Sequence, residues 1–337
     1  MAKLVTCVVD TGGTGHYTSL STAEAANFGA TGADLVSNDE YVEVTCKCTD
    51  GQADATHSLV NGFTTDSTHT ITVDVDNAYL YASTAFPTSG NYYRLDIAGN
   101  GAISITVPYI TIRNVPVRVT GPGTSNVAAF YIASSNITVD GVKVHGSGDF
   151  GSYNFYGFLT EADKTGVKFK RCFVSGKHIT SSLSAGFTNG SSATTGTIDY
   201  LACTAVGLRF GLGAGGSATI VAKNCAVYDC SVSGFPGTFD ASSTNNASDD
   251  GTHPGANGVD LSGKAPNEVF HAPDKDDWRP AFSSPLNGRG INLRGEGVTH
   301  DLLGNWLPAK PAIGALQPPP PPGPIWQKIK GRWYKIN

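Results

Sequence analysis

The sequence predicts an all-β solenoid, a rod of short parallel strands wound in stacked coils, and three observations carry that prediction. First, one pattern recurs at 110–117, 137–144, 167–174, 198–205 and 220–227, with apolar residues at positions i, i+2, i+5 and i+7 of every copy. Second, successive copies begin 27, 30, 31 and 22 residues apart, a period found in coiled repeat folds and foreign to sandwiches and doubly wound sheets. Third, a composition of 41 Gly, 13 Tyr, one Met and 15% charged residues in 337 suits strands and turns and disfavours helical bundles.

Within each copy the two apolar pairs alternate with the period of a strand, and the additional residue between them shifts the phase as a corner does. Each copy therefore reads strand, bend, strand. A rung this short cannot bury its apolar edge alone, so rungs must stack with parallel strands in register, each apolar position forming a column along the axis. Val115, Val142, Cys172, Cys203 and Cys225 make one such predicted column. Between the copies the chain is variable and rich in Gly and Ser, as in 180–197 and 207–217, which is how solenoids carry surface loops on a constant core.

In chain order, residues 1–60 read as an N-terminal cap. Leu4 to Asp10 forms a strand, and Ser19 or Ser21 caps a short helix at about 22–28, with Glu24 at capping-box spacing from Ser21. Such a helix covers the open end of the first rung, where unpaired strand edges invite aggregation. The coils occupy 61–245, beginning with irregular rungs at 69–75, 93–97 and 103–107. Residues 246–317 form a loop-rich closing segment; within 234–263 the Asp, Asn, Ser and Gly content predicts a long loop or a loosely wound last rung.

Residues 318–324, with five consecutive prolines, form a polyproline II spacer, semi-rigid and clear of the core. Residues 325–337 then read as a β-hairpin turning about Lys330 and Gly331, with Trp326 and Trp333 able to pair across it. This tail holds four positive charges and no acid, so the chain's net −5 leaves −9 on everything before it. An isolated two-stranded hairpin is marginal in water and needs a partner surface. The candidate partner-binding residues are Ile325, Trp326, Lys328, Ile329, Arg332, Trp333 and Tyr334.

The repeats resemble those of right-handed parallel β-helix proteins, the pectate-lyase-like solenoids shared by polysaccharide-degrading enzymes and by bacteriophage spikes and surface proteins. Residues 15–26 resemble the N-terminal cap of such proteins, and Trp278-Arg279 through Ser284-Pro285 to Ile313-Gly314-Ala315 resembles their closing segment. The tail's Trp326-x-x-Ile329-x-Gly331-x-Trp333 is similar to short hairpins at the ends of phage virion proteins. The resemblance implies a virion structural protein, a capsid decoration or short surface spike, docked through its tail on other virion proteins. It also implies a homo-oligomer, such as a homotrimer, and polysaccharide on the β-helix face. The alternative it leaves open is a tailspike-type or secreted enzyme or lectin acting on bacterial surface polysaccharide.

The mild net charge sets no expectation of nucleic-acid binding. No run of 18 apolar residues is present, so membrane insertion is not expected. The opening nine residues are too short and polar for a secretory core, which sets the expectation of assembly in a host cytoplasm and a place on the virion surface. Seven cysteines, three at equivalent core positions, read as small buried hydrophobes and not as a disulfide framework. Cys46 and Cys48 stand too close for a usual zinc pair, so no metal and no other cofactor is expected.

Polysaccharide-cleaving chemistry needs two acids within reach of one sugar, and the candidates are Asp140, Asp149, Glu161, Asp163, Asp240, Asp249, Asp250, His253 and Asp260. The five regular copies place no pair of acids on neighbouring rungs of one column, so no catalytic residue is assigned. His145 reads as a turn residue at a rung end. Tyr153, Phe155, Tyr156 and Phe187 are candidates to line a sugar-binding groove. The glycine-rich runs at 11–15 and 211–216 lack the helix and Lys-Ser or Lys-Thr of a nucleotide site.

Overall fold

The computed structural model of the chain describes residues 2–76, 92–121, 125–179, 184–190, 195–213, 218–319, 325–329 and 332–336. Among these, three parallel sheets of eight, eight and six strands stack into a parallel β-helix. The first sheet runs from Lys3–Asp10 through Ile110–Arg113, Thr138–Asp140, Val167–Lys170 and Thr197–Leu201 to Thr219–Lys223. The second includes Pro116–Thr120, Lys143–Gly148, Phe173–Ile179, Thr204–Val206 and Ala226–Tyr228. The third comprises Ser58–Val60, Ile103–Ile105, Val127–Ile132, Phe155–Thr160, Ser184–Asn189 and Phe210–Leu212. A regular coil takes one strand from each, and strand-to-parallel-strand returns of this kind wind right-handed.

The corner between the first two sheets is built on one backbone conformation. Asn114, Gly141, Arg171, Ala202 and Asn224, the fifth residue of each copy, all have positive φ, between 52° and 66°. Gly and Asn adopt this readily, whereas Arg and Ala are held there by their neighbours. Those neighbours are the next corners: the Gly141, Arg171 and Ala202 amides donate to Lys170, Leu201 and Lys223 carbonyls one coil on, at 2.8, 2.9 and 2.8 Å.

The predicted column is present. Asp140 pairs with Lys170 and Lys143 with Phe173, which sets Val142 beside Cys172; the equivalent pairings set Val115, Cys203 and Cys225 in line. All five are fully buried. The thiols do more than fill space. Cys172 donates to Val139 O at 3.3 Å, Cys203 to Phe169 O at 3.4 Å and Cys225 to Tyr200 O at 3.3 Å, each reaching the preceding coil. Burial pushes the Cys203 thiol well up, so it remains a neutral donor.

Aromatic rings fill the prism. Phe158 stacks between Phe130 and Phe187 at 5.0 and 4.8 Å, and Phe169 stacks on Tyr200 at 5.4 Å. Phe155 and Phe187 therefore belong to the core and cannot line a groove, because the strand alternation turns both inward. Of that group only Tyr153 and Tyr156 keep solvent contact.

At the N-terminal end the helix is Leu20–Ala25, capped by Ser19, whose hydroxyl accepts from the Thr22 amide at 3.1 Å. This corrects the expected box: Thr22, not Glu24, completes it, and positive φ at Asn27 and Phe28 ends the helical run early. Buried Asp54 holds the helix to the coils by accepting from the Leu20 amide and the Tyr93 hydroxyl, both at 2.8 Å. The glycine-rich run after Asp10 is a turn built on that carboxylate, which accepts from Gly12 N and Thr49 N at 3.0 Å and from the Thr14 hydroxyl. Burial would raise Asp10, but these hydrogen bonds outweigh it and hold it down at about 2.

Past Tyr228 the coil continues. Asn245 and Asn257 repeat the positive-φ corner, followed by Ala247–Ser248 and Val259–Asp260 on the second sheet. The region read as loop or loose rung is thus two narrow, hydrogen-bonded rungs. Asn246 takes the column position beyond Cys225, fully buried, accepting from Cys225 N at 2.9 Å and donating to Ala222 O at 2.8 Å. The chain then folds back along the body. Val269, Phe270, Trp278, Leu286, Leu302 and Ile313 pack on Phe173, Val206, Ala226 and Tyr228, covering the outer face of the second sheet along its later strands.

Candidate functional site

The tail backbone forms an antiparallel pair, Ile325–Ile329 with Arg332–Ile336, in a sheet of its own. Ile329 pairs with Arg332, so a two-residue connection fixes the register; Lys330, Gly331 and the prolines from 320 to 322 lie outside the described residues. That register sets Trp326 opposite Lys335 and Trp333 opposite Lys328. The tryptophans are therefore diagonal neighbours on one face, with Lys328 and Lys335, and not a directly opposed pair. Ile325, Ile329, Arg332 and Tyr334 take positions on the other face. The candidate residues thus divide between the two faces of the pair, both tryptophans falling on one of them.

Of the body's candidate acids, Asp140, Asp149, Glu161, Asp163 and Asp240 each have separate partners, whereas Asp249, Asp250, His253 and Asp260 lie within electrostatic reach of one another in the narrow rungs. Asp140 pairs with Arg171 at 2.7 Å, and Glu161 pairs with Lys164 at 3.0 Å while accepting from the Tyr131 hydroxyl at 3.1 Å. Asp163 accepts from Thr195 N at 2.8 Å across a coil boundary. Asp149, Asp240 and Asp260 each accept from the amide two residues on, at 2.8 Å, the geometry of a local turn. Asp249 and Asp250 accept from Asp229 N and Gly234 N, both at 2.7 Å, tying the first narrow rung to the regular coil before it. His253 donates its amide to the Ser248 hydroxyl at 3.1 Å in the same rungs. His145 is a correction: it sits inside Lys143–Gly148, buried, and not in a turn, because that strand runs on to Gly148. Cys48 is a buried thiol donating to Gln52 O at 3.1 Å, and Cys46 is fully buried beside it.

A feature no motif announced is a cleft of about 450 Å³ where the closing segment crosses the second sheet. Its walls include Tyr228 and Trp278, with Lys177, Asp229, His271 and Asp274 around them. Phe270 meets both aromatic walls edge-on, at 5.4 Å from Tyr228 and 5.2 Å from Trp278. Tyr228 donates to Lys264 O at 2.6 Å, and burial followed by nearby Asp249 pushes its hydroxyl up to about 12, so it stays protonated. The Lys177 ammonium lies 5.6 Å from the Trp278 ring centre, and His271 Nδ1 lies 3.3 Å from Asp277. Tyr228 and Trp278 are 5% and 3% exposed, so only a small part of either ring faces the cleft, among polar groups able to hydrogen-bond a ligand. The lining is drawn from three separated stretches of chain, which is why no sequence spacing reveals it.

Comparison of the sequence with models of known protein families finds no match, and comparison with curated proteins finds none either.

Proposed function

We propose that this chain is a virion structural protein of phage type, a capsid decoration or short surface projection with its β-helix body outward and its tail attached to another virion component. One observation carries the reading: the tail strands pair with each other and join none of the three stacked sheets. A two-stranded hairpin alone is marginal in water, and a register that gathers two tryptophans on one face favours burial against a partner. Its four positive charges, set against −9 on the rest of the chain, favour an acidic docking surface. Imaging purified particles labelled for this chain tests the reading. The expected result is label at regular positions on the particle; particles without label would overturn it.

The aromatic cleft favours a second reading, in which the body binds or cleaves a bacterial surface polysaccharide. Incubation with host capsule or lipopolysaccharide separates the two. New reducing ends or unsaturated-uronate absorbance would establish cleavage, and neither is expected of a purely structural projection.

A further inference from the structure

The closing segment ends against the carboxylate of Asp301, and that carboxylate serves two stretches of chain at once. Its Oδ2 accepts from the Gln317 amide at 3.1 Å and from the Asn305 side-chain amide at 3.0 Å, while its Oδ1 accepts from the backbone amides of Leu303 and Asn305 at 3.0 and 2.8 Å. The exit of the chain from the body and the turn at 301–305 are therefore neighbours on one buried acid. The residue that follows this turn is Trp306, 70% exposed, the largest fraction among the exposed large apolar side chains of the described residues.

Single exposed apolar side chains are ordinary on a protein surface, but this indole is held in place. Its backbone bridges antiparallel to His300, the Leu307 amide donates to Thr299 O at 3.0 Å, and the imidazole and indole centres are 4.0 Å apart. The Thr299 hydroxyl lies 2.9 Å from His300 Nδ1 and steadies the imidazole. One side of the indole is thus backed by a ring, and most of the remainder meets solvent. Such a platform suits a polyproline helix, which is already extended and so loses little entropy when its pyrrolidine rings stack on an indole face. Its carbonyls have no N–H of their own to answer and can accept from the indole N–H.

We infer that the chain's own proline run, residues 318–322, docks on Trp306, so that the tail leaves the body in a fixed direction. The occupant is argued from connectivity and reach. Pro318 directly follows the anchored Gln317, and Pro318 and Pro319 are partly buried, so the run starts against the body and not clear of it. In polyproline geometry five residues span about 15 Å, enough to cross an indole that stands one residue beyond Asn305. A segment tethered this closely also meets its site at an effective concentration of millimolar order, an advantage that a free ligand lacks. The contact concerns how the tail is carried, and it stands apart from what the tail grips.

Acrylamide quenching of indole fluorescence in the full-length chain tests it. Trp326→Phe and Trp333→Phe remove the tail indoles and leave Trp306 beside the buried Trp278. In that background Pro318→Ser through Pro322→Ser, made together, should raise the quenching constant roughly twofold, because a covered ring face meets the quencher again. An unchanged constant would overturn the inference. A spin label at Gly323→Cys gives a second readout, in a chain with Cys230→Ser because Cys230 is the one cysteine that is not buried. The label should be slow with Trp306 present and mobile after Trp306→Ala, which removes an exposed side chain and leaves the coils intact. Equal mobility in the two chains would overturn the contact. So would slow motion that is lost on roughly tenfold dilution, which would assign the prolines to the Trp306 of a second copy.

Discussion

The corner of the regular coils and the closing segment lie against each other, yet different chemistry holds each in place. At the corner, five copies of one backbone turn stack on one another, and each amide finds its partner one coil away. The closing segment repeats nothing and is fixed by individual contacts. Arg171 donates to Asp301 O at 2.9 Å, Asn245 to Arg289 O at 2.6 Å, and Lys223 pairs with Glu296 at 2.9 Å. Asn224 belongs to both regions: its backbone makes the corner at φ 55°, while its side chain accepts from Ile291 N at 2.9 Å and donates to Ile291 O at 2.7 Å. The difference teaches that a solenoid's body is specified by repetition, and its end by an unrepeated apolar cluster together with single polar residues placed once.

Four substitutions probe that contrast, and the largest effect is expected inside the coils. Phe158→Ala removes the central ring of the Phe130–Phe158–Phe187 stack and should lower unfolding free energy by ~3–5 kcal/mol in a denaturant titration, carrying both regions with it. Loss below about 1 kcal/mol would mean that the rings are not packed as described. Asn224→Gly keeps the corner but cuts both ties to Ile291, a loss of ~1–3 kcal/mol confined to the closing segment. Limited proteolysis should then clip 264–317 sooner while the coils melt unchanged; equal loss in both would erase the distinction.

Lys143 lies under the closing segment, 1% exposed, with its amine 5.7 Å from the Phe173 ring. Burial pushes that amine down to about 7 against the pull of Asp276 and Asp277. The unfolded chain holds the proton to about 10.4, so between these values the folded body binds fewer protons and gains stability as pH rises. Lys143→Met should therefore stabilise by ~1–3 kcal/mol near pH 6 and by less near pH 9.5, read as a narrowing gap between melting curves. A gap that widens with pH would contradict the assignment.

The smallest effect belongs to the junction of the cap with the first rung, where His69 bridges Asp39 at 3.2 Å and Asp66 at 2.8 Å. Hydrogen bonds to Asp39 and then Asp66 raise its pKa. Its contribution is fully present below the ordinary histidine range near 6.5 and is lost as pH rises through the higher folded value. His69→Gln should remove that decline in cap protection, followed by amide exchange; a decline that persists would place its origin elsewhere.

How much of this was legible in the sequence follows from the same contrast. The apolar spacing within each copy exposed the strands, the bend and the column from Val115 to Cys225, because every coil obeys the same geometry. The rungs at 247–248 and 259–260 are legible only as a long loop or one loosely wound rung, because their strands are two residues long and a buried Asn246 replaces the apolar column residue, trading burial for hydrogen bonds. Ser19 and Thr22 were chosen over Ser21 and Glu24 by where the chain turns. Phe155 and Phe187 were assigned to the wrong side because the third-sheet strands lie outside the repeated pattern that fixes phase. The aromatic cleft and the closing-segment ties join residues up to 130 positions apart, and no local spacing encodes them.

The proposed division between a self-sufficient body and an attaching tail is tested most directly by a chain ending at Gln317, compared with the full chain for melting and for incorporation into particles. The account predicts the same melting temperature and no incorporation. A lowered melting temperature, or incorporation at the full-length level, would contradict it.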